Sequence, residues 1–249
     1  MNRERISAIA HADHPIKAPL DDVSVRLLLD HVIRRGDERV LDLGCGTGEW
    51  LLRALVAHPG VWAEGVDVSG VSLERARQAA ERLGVGERLV LHEREAAGYV
   101  SDGPFDVVLC VGSTHAFGGL LPALGAMREH VAPGGRVLVG DVFWDGVPSQ
   151  EAVGLFGEVQ DLAGTVERVV ADGWVPLRGH VSDRRELDAY EWALWGSLGA
   201  WALERPGDPD SASALETAAS RLSEWLRVYR DGFGFLSLVL GRVPGQERE

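Results

Sequence analysis

The segment Val40-Leu41-Asp42-Leu43-Gly44-Cys45-Gly46-Thr47-Gly48 constrains this chain more than any other. It follows Arg39 to Leu43, an apolar run that reads as a short buried strand, and precedes Glu49 to His58, which reads as a helix stopped by Pro59-Gly60. Glycine admits positive φ and lets a ligand approach the backbone closely. Three glycines at alternate positions are more than a bare strand-to-helix turn requires, so the pattern predicts a bound molecule. A dinucleotide is one candidate, because G-x-G-x-x-G sets a pyrophosphate on the helix N-terminus. Here the position after G-x-G-x-x is Glu49, a carboxylate that would repel a pyrophosphate. The spacing is instead G-x-G-x-G, preceded by Asp42.

The rest of the chain alternates. Val23, Val25, Leu28, Leu29 and Val32 lie on one stripe of a first helix. Val61 to Val68 reads as a second strand, followed by a helix with Leu73, Ala76, Ala80 and Leu83 inward and Gly84 at its end. Leu89 to His92 is a third strand, and Phe105 to Val111 a fourth, apolar enough to be buried on both faces. Leu120 to Val131 reads as a helix ended by Pro133-Gly134-Gly135, and Arg136 to Asp141 as a fifth strand. Such alternation predicts an α/β fold, a doubly wound, mostly parallel sheet with helices on both faces.

Beyond it, Ser149 to Asp172 reads as one long helix and Trp174 to Val181 as a sixth strand. Two helices follow with no strand between them. Leu187, Tyr190, Leu194, Leu198 and Trp201 stripe the first; Leu215, Ala218, Leu222, Trp225, Leu226 and Tyr229 stripe the second. Phe233 to Val243 closes as a seventh strand, at or near an edge. A length of 249 residues fits one domain carrying a cap: first helix and what precedes it at 1–36, sheet core at 37–182 and 233–243, two-helix cap at 183–232.

Twenty-five basic against 38 acidic residues leave a net charge of −13, which argues against a phosphate-tracking surface, and so against nucleic-acid or anionic-membrane binding. The two cysteines, Cys45 and Cys110, sit in apolar runs as small core residues and cannot form a disulfide framework or a four-thiolate zinc site. No apolar run approaches the roughly 20 residues a membrane span needs, and Met1 to Ala18 has no apolar h-region, so a reducing cytoplasm is the expected setting.

Taken together, these segments resemble the class I S-adenosylmethionine-dependent methyltransferases, whose first motif VLDLGCGTG looks like in full. Four further segments fit in order: Val66-Asp67-Val68-Ser69, Leu91 to Ala97, Phe105 to Val108, and Pro133 to Val139. The resemblance is strong over residues 39–141 and weak elsewhere. It implies a seven-stranded Rossmann-like methyltransferase fold, with residues before the first helix folding as an N-terminal lid. It also implies S-adenosylmethionine as cofactor and S-adenosylhomocysteine as product. Asp42, Gly44, Cys45, Gly46 and Gly48 would form the cofactor turn, with Asp67 and Val68 at the ribose, Glu95 and Ala96 at the adenine, and Val111 at the end of the fourth strand. Glu95 stands where the family more often has Asp, and Glu93 is its rival by register. Asp67 has a second reading as a helix N-cap, a role Ser69 can fill instead.

The acceptor site is expected beyond the C-terminal strand ends. Gly112 to Gly119 is a glycine-rich loop holding one imidazole, His115, a candidate general base whose alternative is an exposed loop histidine. His14, in the lid, is the second candidate. Asp141, Trp144 and Tyr190 are candidate acceptor contacts, against a loop cap and core filling as the alternatives. Nothing sets a metal-binding geometry for His11, His14 and His115, so no metal is expected. The loop lacks the Asn-Pro-Pro-Tyr of resembling enzymes that methylate DNA bases or glutamine, and the acidic metal ligand of the catechol type. The expected activity is metal-independent transfer to oxygen, nitrogen or carbon of a small or medium organic acceptor in specialised metabolism. The alternatives are RNA or protein as acceptor, or a non-catalytic module that binds the cofactor. Oligomeric state is not legible.

Overall fold

The computed structural model describes residues 1, 3–157 and 159–242. Seven strands form one sheet in the order β3-β2-β1-β4-β5-β7-β6. They are β1 (Arg39–Leu43), β2 (Trp62–Asp67), β3 (Leu89–Glu93), β4 (Phe105–Val111), β5 (Val131–Trp144), β6 (Trp174–Val181) and β7 (Phe233–Arg242). The pairs β1–β2, β1–β4, β2–β3 and β4–β5 are parallel, and β6–β7 is antiparallel. The helices are α1 (Arg3–Ala10), α2 (Asp22–Val32), α3 (Glu49–Ala57), α4 (Gly70–Arg82), α5 (Leu120–His130), α6 (Gln150–Phe156), α7 (Leu162–Ala171), α8 (Arg184–Glu204) and α9 (Ser211–Glu224).

The chain divides into two compact units. The sheet unit comprises Asp21–Asp141, Gly164–Val181 and the described residues from Leu236 onward. Its centre is apolar on both faces, with Val40, Leu41, Leu43, Val66, Val108 and Leu109 fully buried. Each such side chain contributes about 1.5–3 kcal/mol of transfer free energy. Local chemistry starts the helices here. Asp21 caps α2 by accepting from Ser24 N–H at 2.8 Å, and Ser69 caps α4 by accepting from Ser72 N–H at 3.1 Å. Glu38, buried between α2 and β1, accepts the backbone N–H groups of Arg34, Arg35 and Gly36 at 2.8 Å each and so fixes the loop that enters β1.

The helical unit comprises Met1–Leu20, Val142–Ala163 and Ser182–Phe235. Asp183 and Glu186 form a capping box at the start of α8. Leu194, Leu198 and Ala202 of α8 pack with Ala214 of α9 and with Ala10 of α1. Arg5 of α1 is ion-paired with Asp208 and Asp210, in the turn between α8 and α9. Asp188 on α8 receives the Arg230 guanidinium in two bonds, at 2.8 and 2.7 Å, and Trp225 Nε1 at 3.2 Å.

The alternating core is as expected except that Val23 and Leu83 are exposed, while the second half and the N-terminal region depart from expectation. Strand β5 begins at Val131, where helix was expected, and runs through Pro133-Gly134-Gly135 as an irregularity: Phe105 pairs Val131, then Val107 pairs Arg136. Gly134 has φ +76°, and a Cβ on Gly135 would lie 2.7 Å from the Asp106 carbonyl oxygen, so the glycines shape a bulge instead of ending an element. Its far end reaches Trp144, which leaves Asp141 inside the strand.

The expected long helix at 149–172 is two, because Gly157 at φ +80° ends α6 and Trp144 pairs with Asp161 before α7. Strand β7 lies near an edge, as expected, between β5 and the edge strand β6; Val243, expected at its end, lies outside the described residues. Leu215 and Leu226 are exposed, and Ala214 is buried in their place. A π-helical turn at Trp225–Tyr229 shifts the phase that a uniform 3.6-residue stripe assumes. Helix α1 adds an element to the region read as a lid. Replacing Asp188 with alanine strips the Arg230 and Trp225 donors of their acceptor, and we expect a loss of about 2 kcal/mol in urea unfolding.

Candidate cofactor site

The sequence places a chain reversal where β1 must hand over to α3, and the structure shows why only glycine serves. Gly44, Gly46 and Gly48 all have positive φ, at +88°, +54° and +74°. A Cβ on Gly44 would stand 2.5 Å from Ser113 Cβ. That approach is held by the Ser113 hydroxyl, which donates to the Leu43 carbonyl at 2.8 Å. Gly44 N–H and Cys45 N–H both donate to the Val66 carbonyl, at 2.8 and 3.0 Å, so the turn is tied to the end of β2. Gly65 makes room for it, since a Cβ there would meet Cys45 Sγ at 2.7 Å.

Asp67 completes the brace. Its Oδ2 accepts Gly46 N–H at 2.8 Å and its Oδ1 accepts Ser69 N–H at 2.9 Å. One carboxylate therefore joins the glycine turn to the start of α4. Each oxygen retains capacity for a further donor. Ser69, not Asp67, is the N-cap. Val68 beside it is exposed. On β3, Glu93 pairs in register with Asp67, and its carboxylate stands where a Cβ on Gly70 would fall, within 2.8–3.0 Å. Glu95 is exposed at the entry to a short turn, Ala96–Gly98, whose first residue is buried.

Asp42 is 2 % exposed, and its Oδ2 has no hydrogen-bond partner. Burial, with the Asp67 charge nearby, pushes its carboxyl up to about 8. An orphaned buried acceptor beside a second acid suits a ligand that brings positive charge and hydrogen-bond donors. S-adenosylmethionine fits this set. It carries a sulfonium, an ammonium and a ribose diol.

Val111 is buried at the end of β4, and His115 is exposed on the turn Thr114–Phe117 that follows. Asp141 is half-buried within β5. The sheet unit thus brings Asp42, the glycine turn and Asp67 together. Trp144, Tyr190 and His14 belong to the helical unit. Trp144 is buried with its ring on Phe156 at 5.9 Å. Tyr190 and His14 meet edge to face at 5.2 Å. Sequence reasoning missed the supporting residues Ser113, Gly65 and Gly70; the glycines within otherwise regular elements were the available signal.

A glycine turn backed by two acids at the C-terminal end of the first strand of a parallel sheet defines an α/β protein that binds a nucleoside cofactor. Comparison with known proteins makes this specific. Residues 40–135 match a family model described as a methyltransferase domain. An Escherichia coli K12 relative, uncharacterized protein YjhP, is 30 % identical over 94 % of this chain and 97 % of its own. A methyltransferase from Geobacter sulfurreducens, solved in complex with S-adenosylhomocysteine, superposes with a TM-score of 0.88 at 28 % identity, over 96 % of this chain and 98 % of its own. One from Thiobacillus denitrificans, also with S-adenosylhomocysteine, gives 0.87 at 28 % identity, over 98 % and 100 %. This chain belongs to the class I S-adenosylmethionine-dependent methyltransferase family.

The raised Asp42 carboxyl has a consequence for the unliganded protein. Below pH 4 the group is protonated in both folded and unfolded chains; as pH rises toward about 8 only the unfolded chain ionises, and stability falls. Asp42→Asn is therefore expected to gain stability over the parent as pH goes from about 4 to 8, then level off. Urea midpoints for the two proteins across that range check it.

Proposed function

We propose that this methyltransferase acts on a small or medium organic acceptor, at oxygen, nitrogen or carbon, without a metal. The observation that carries this reading is the aromatic helical unit. Trp144, Phe156, Tyr229, Phe233 and Trp225 form a chain of ring contacts with neighbouring centroids 4.9–6.3 Å apart. Apolar, aromatic surroundings with a few polar groups suit a small organic molecule. A net charge of −13 opposes RNA as acceptor. Among the described residues, no helix is long and apolar enough to cross a membrane.

In this reading, Asp67 takes both ribose hydroxyls while keeping its backbone bonds, and Gly44, Cys45, Gly46 and Gly48 line the amino-acid end with Asp42 behind them. Val68 stands with Asp67 at the ribose, Ala96 and Val111 complete the cofactor contacts, and Glu95 accepts from the adenine amino group. When bound, S-adenosylmethionine supplies an electrophilic methyl carbon on a cationic sulfur. The chain's part is to hold that donor and to handle the acceptor's proton. His115 and His14 are the proposed bases, and Asp141, Trp144 and Tyr190 the proposed acceptor contacts. Displacement at methyl requires alignment more than covalent assistance, so most of the rate comes from positioning and exclusion of water.

The test is transfer of tritium from methyl-labelled S-adenosylmethionine into low-molecular-weight, RNA and protein fractions of a cell extract. Label is expected in the small-molecule fraction; label confined to RNA or protein would overturn the acceptor class. Asp67→Ala should weaken S-adenosylhomocysteine binding at least tenfold by calorimetry. His115→Ala or His14→Ala should lower turnover and leave that affinity unchanged.

A further inference from the structure

The helical unit holds one phenol between two imidazoles. His11 Nδ1 lies 2.9 Å from the Ser7 carbonyl oxygen, and His11 Nε2 lies 3.2 Å from the Tyr190 hydroxyl. A carbonyl only accepts, so Nδ1 carries the proton and Nε2 accepts from the phenol. His14 repeats the arrangement, with Nδ1 2.7 Å from the Ile16 carbonyl oxygen. That nitrogen donates, and Nε2 is left as the basic one. The His14 ring meets the Tyr190 ring at 5.2 Å and 84°, and His11 meets it at 6.0 Å and 51°. These partners assign both histidines to the Nδ1–H tautomer, the one a free imidazole disfavours.

We propose that Tyr190 is a positioning residue: His11 engages its hydroxyl, and its ring, packed near perpendicular to His14, holds that imidazole with Nε2 left as the basic nitrogen. The catalytic consequence rests on the proposed use of His14 as a base; the geometry does not.

Two features support a fixed brace over a proton relay. Burial pushes His11 down to about 4, with Lys17, Arg221 and His14 adding to the shift against the Ser7 hydrogen bond. Burial also pushes the Tyr190 phenol up, with the Glu191 charge adding and Arg221 opposing. The acid is weakened and the base is weakened, so the pair stays neutral and the hydrogen bond stays in place across the physiological range. Tyr190 itself is anchored on α8, one turn from Leu194 in the packed stripe against α1.

Long-range proton–nitrogen spectra of the full-length, nitrogen-15-labelled protein test the assignment, with His11→Gln and His14→Gln used to identify the two rings. Both are expected as Nδ1–H at neutral pH. Tyr190→Phe keeps the ring, so His14 should retain its tautomer, while the His11 midpoint should move up because its neutral form has lost a donor. Tyr190→Leu removes the ring contact that keeps His14 on the Ile16 carbonyl, and His14 should relax toward the Nε2–H form. A His14 already in the Nε2–H form in the parent overturns the proposal without any variant. So does a Tyr190→Leu protein with parent-like melting and an unchanged His14. If instead the tautomers are as expected but His14→Gln transfers label at the parent rate, the brace stands and His14 as base falls.

Discussion

The near-contact of Gly44 with Ser113 is the constraint on which the cofactor turn depends. It brings the end of β1 against the loop after β4 so closely that no side chain fits between them. The Ser113 hydroxyl locks that approach onto the Leu43 carbonyl. The twin bonds to the Val66 carbonyl tie the same turn to β2, and Asp67 ties it to α4. Strands β1 and β2, helix α4 and the loop after β4 are thus fastened to one turn by backbone groups and two small polar side chains. A turn held this way has its geometry before ligand arrives, which lowers the ordering cost of binding.

The electrostatics of the turn follow from its position. Asp42 points from a strand buried on both sides, where a charge is costly and an acceptor needs a donor. An Oδ2 without a hydrogen-bond partner disfavours the ionised group, and a cationic ligand with hydrogen-bond donors reverses that preference. Asp67 differs because it is already satisfied by two backbone N–H groups. The two acids divide the work: one is a satisfied brace, the other a buried group that favours positive charge.

How much of this was legible follows from how local each feature is. The turn between β1 and α3 is written in nine consecutive residues, and the alternation of short apolar runs with helical stripes is enough to specify the parallel half. The features that escaped are those set by distant partners. Whether Val131 to Arg136 ends a helix or bulges a strand depends on β4 beside it. The π turn before Tyr229 fits the Asp188 clamp and Glu191, neither of which is near it in sequence. His11 and Tyr190 are 179 positions apart, and no periodicity links them. Cofactor sites built on one turn are readable in this way, whereas sites assembled from separate helices are not.

The central claim is that the buried Asp42 carboxyl stands behind a turn shaped for a cationic nucleoside. Calorimetric titration with S-adenosylmethionine near pH 7, in two buffers of different ionisation heat, tests it most directly. Binding should release a proton, because the ligand's positive charge favours ionised Asp42, and Asp42→Asn should bind without that release. Tight binding with no proton exchanged in the parent would contradict the electrostatic account, and no binding at all would contradict the assignment of the turn.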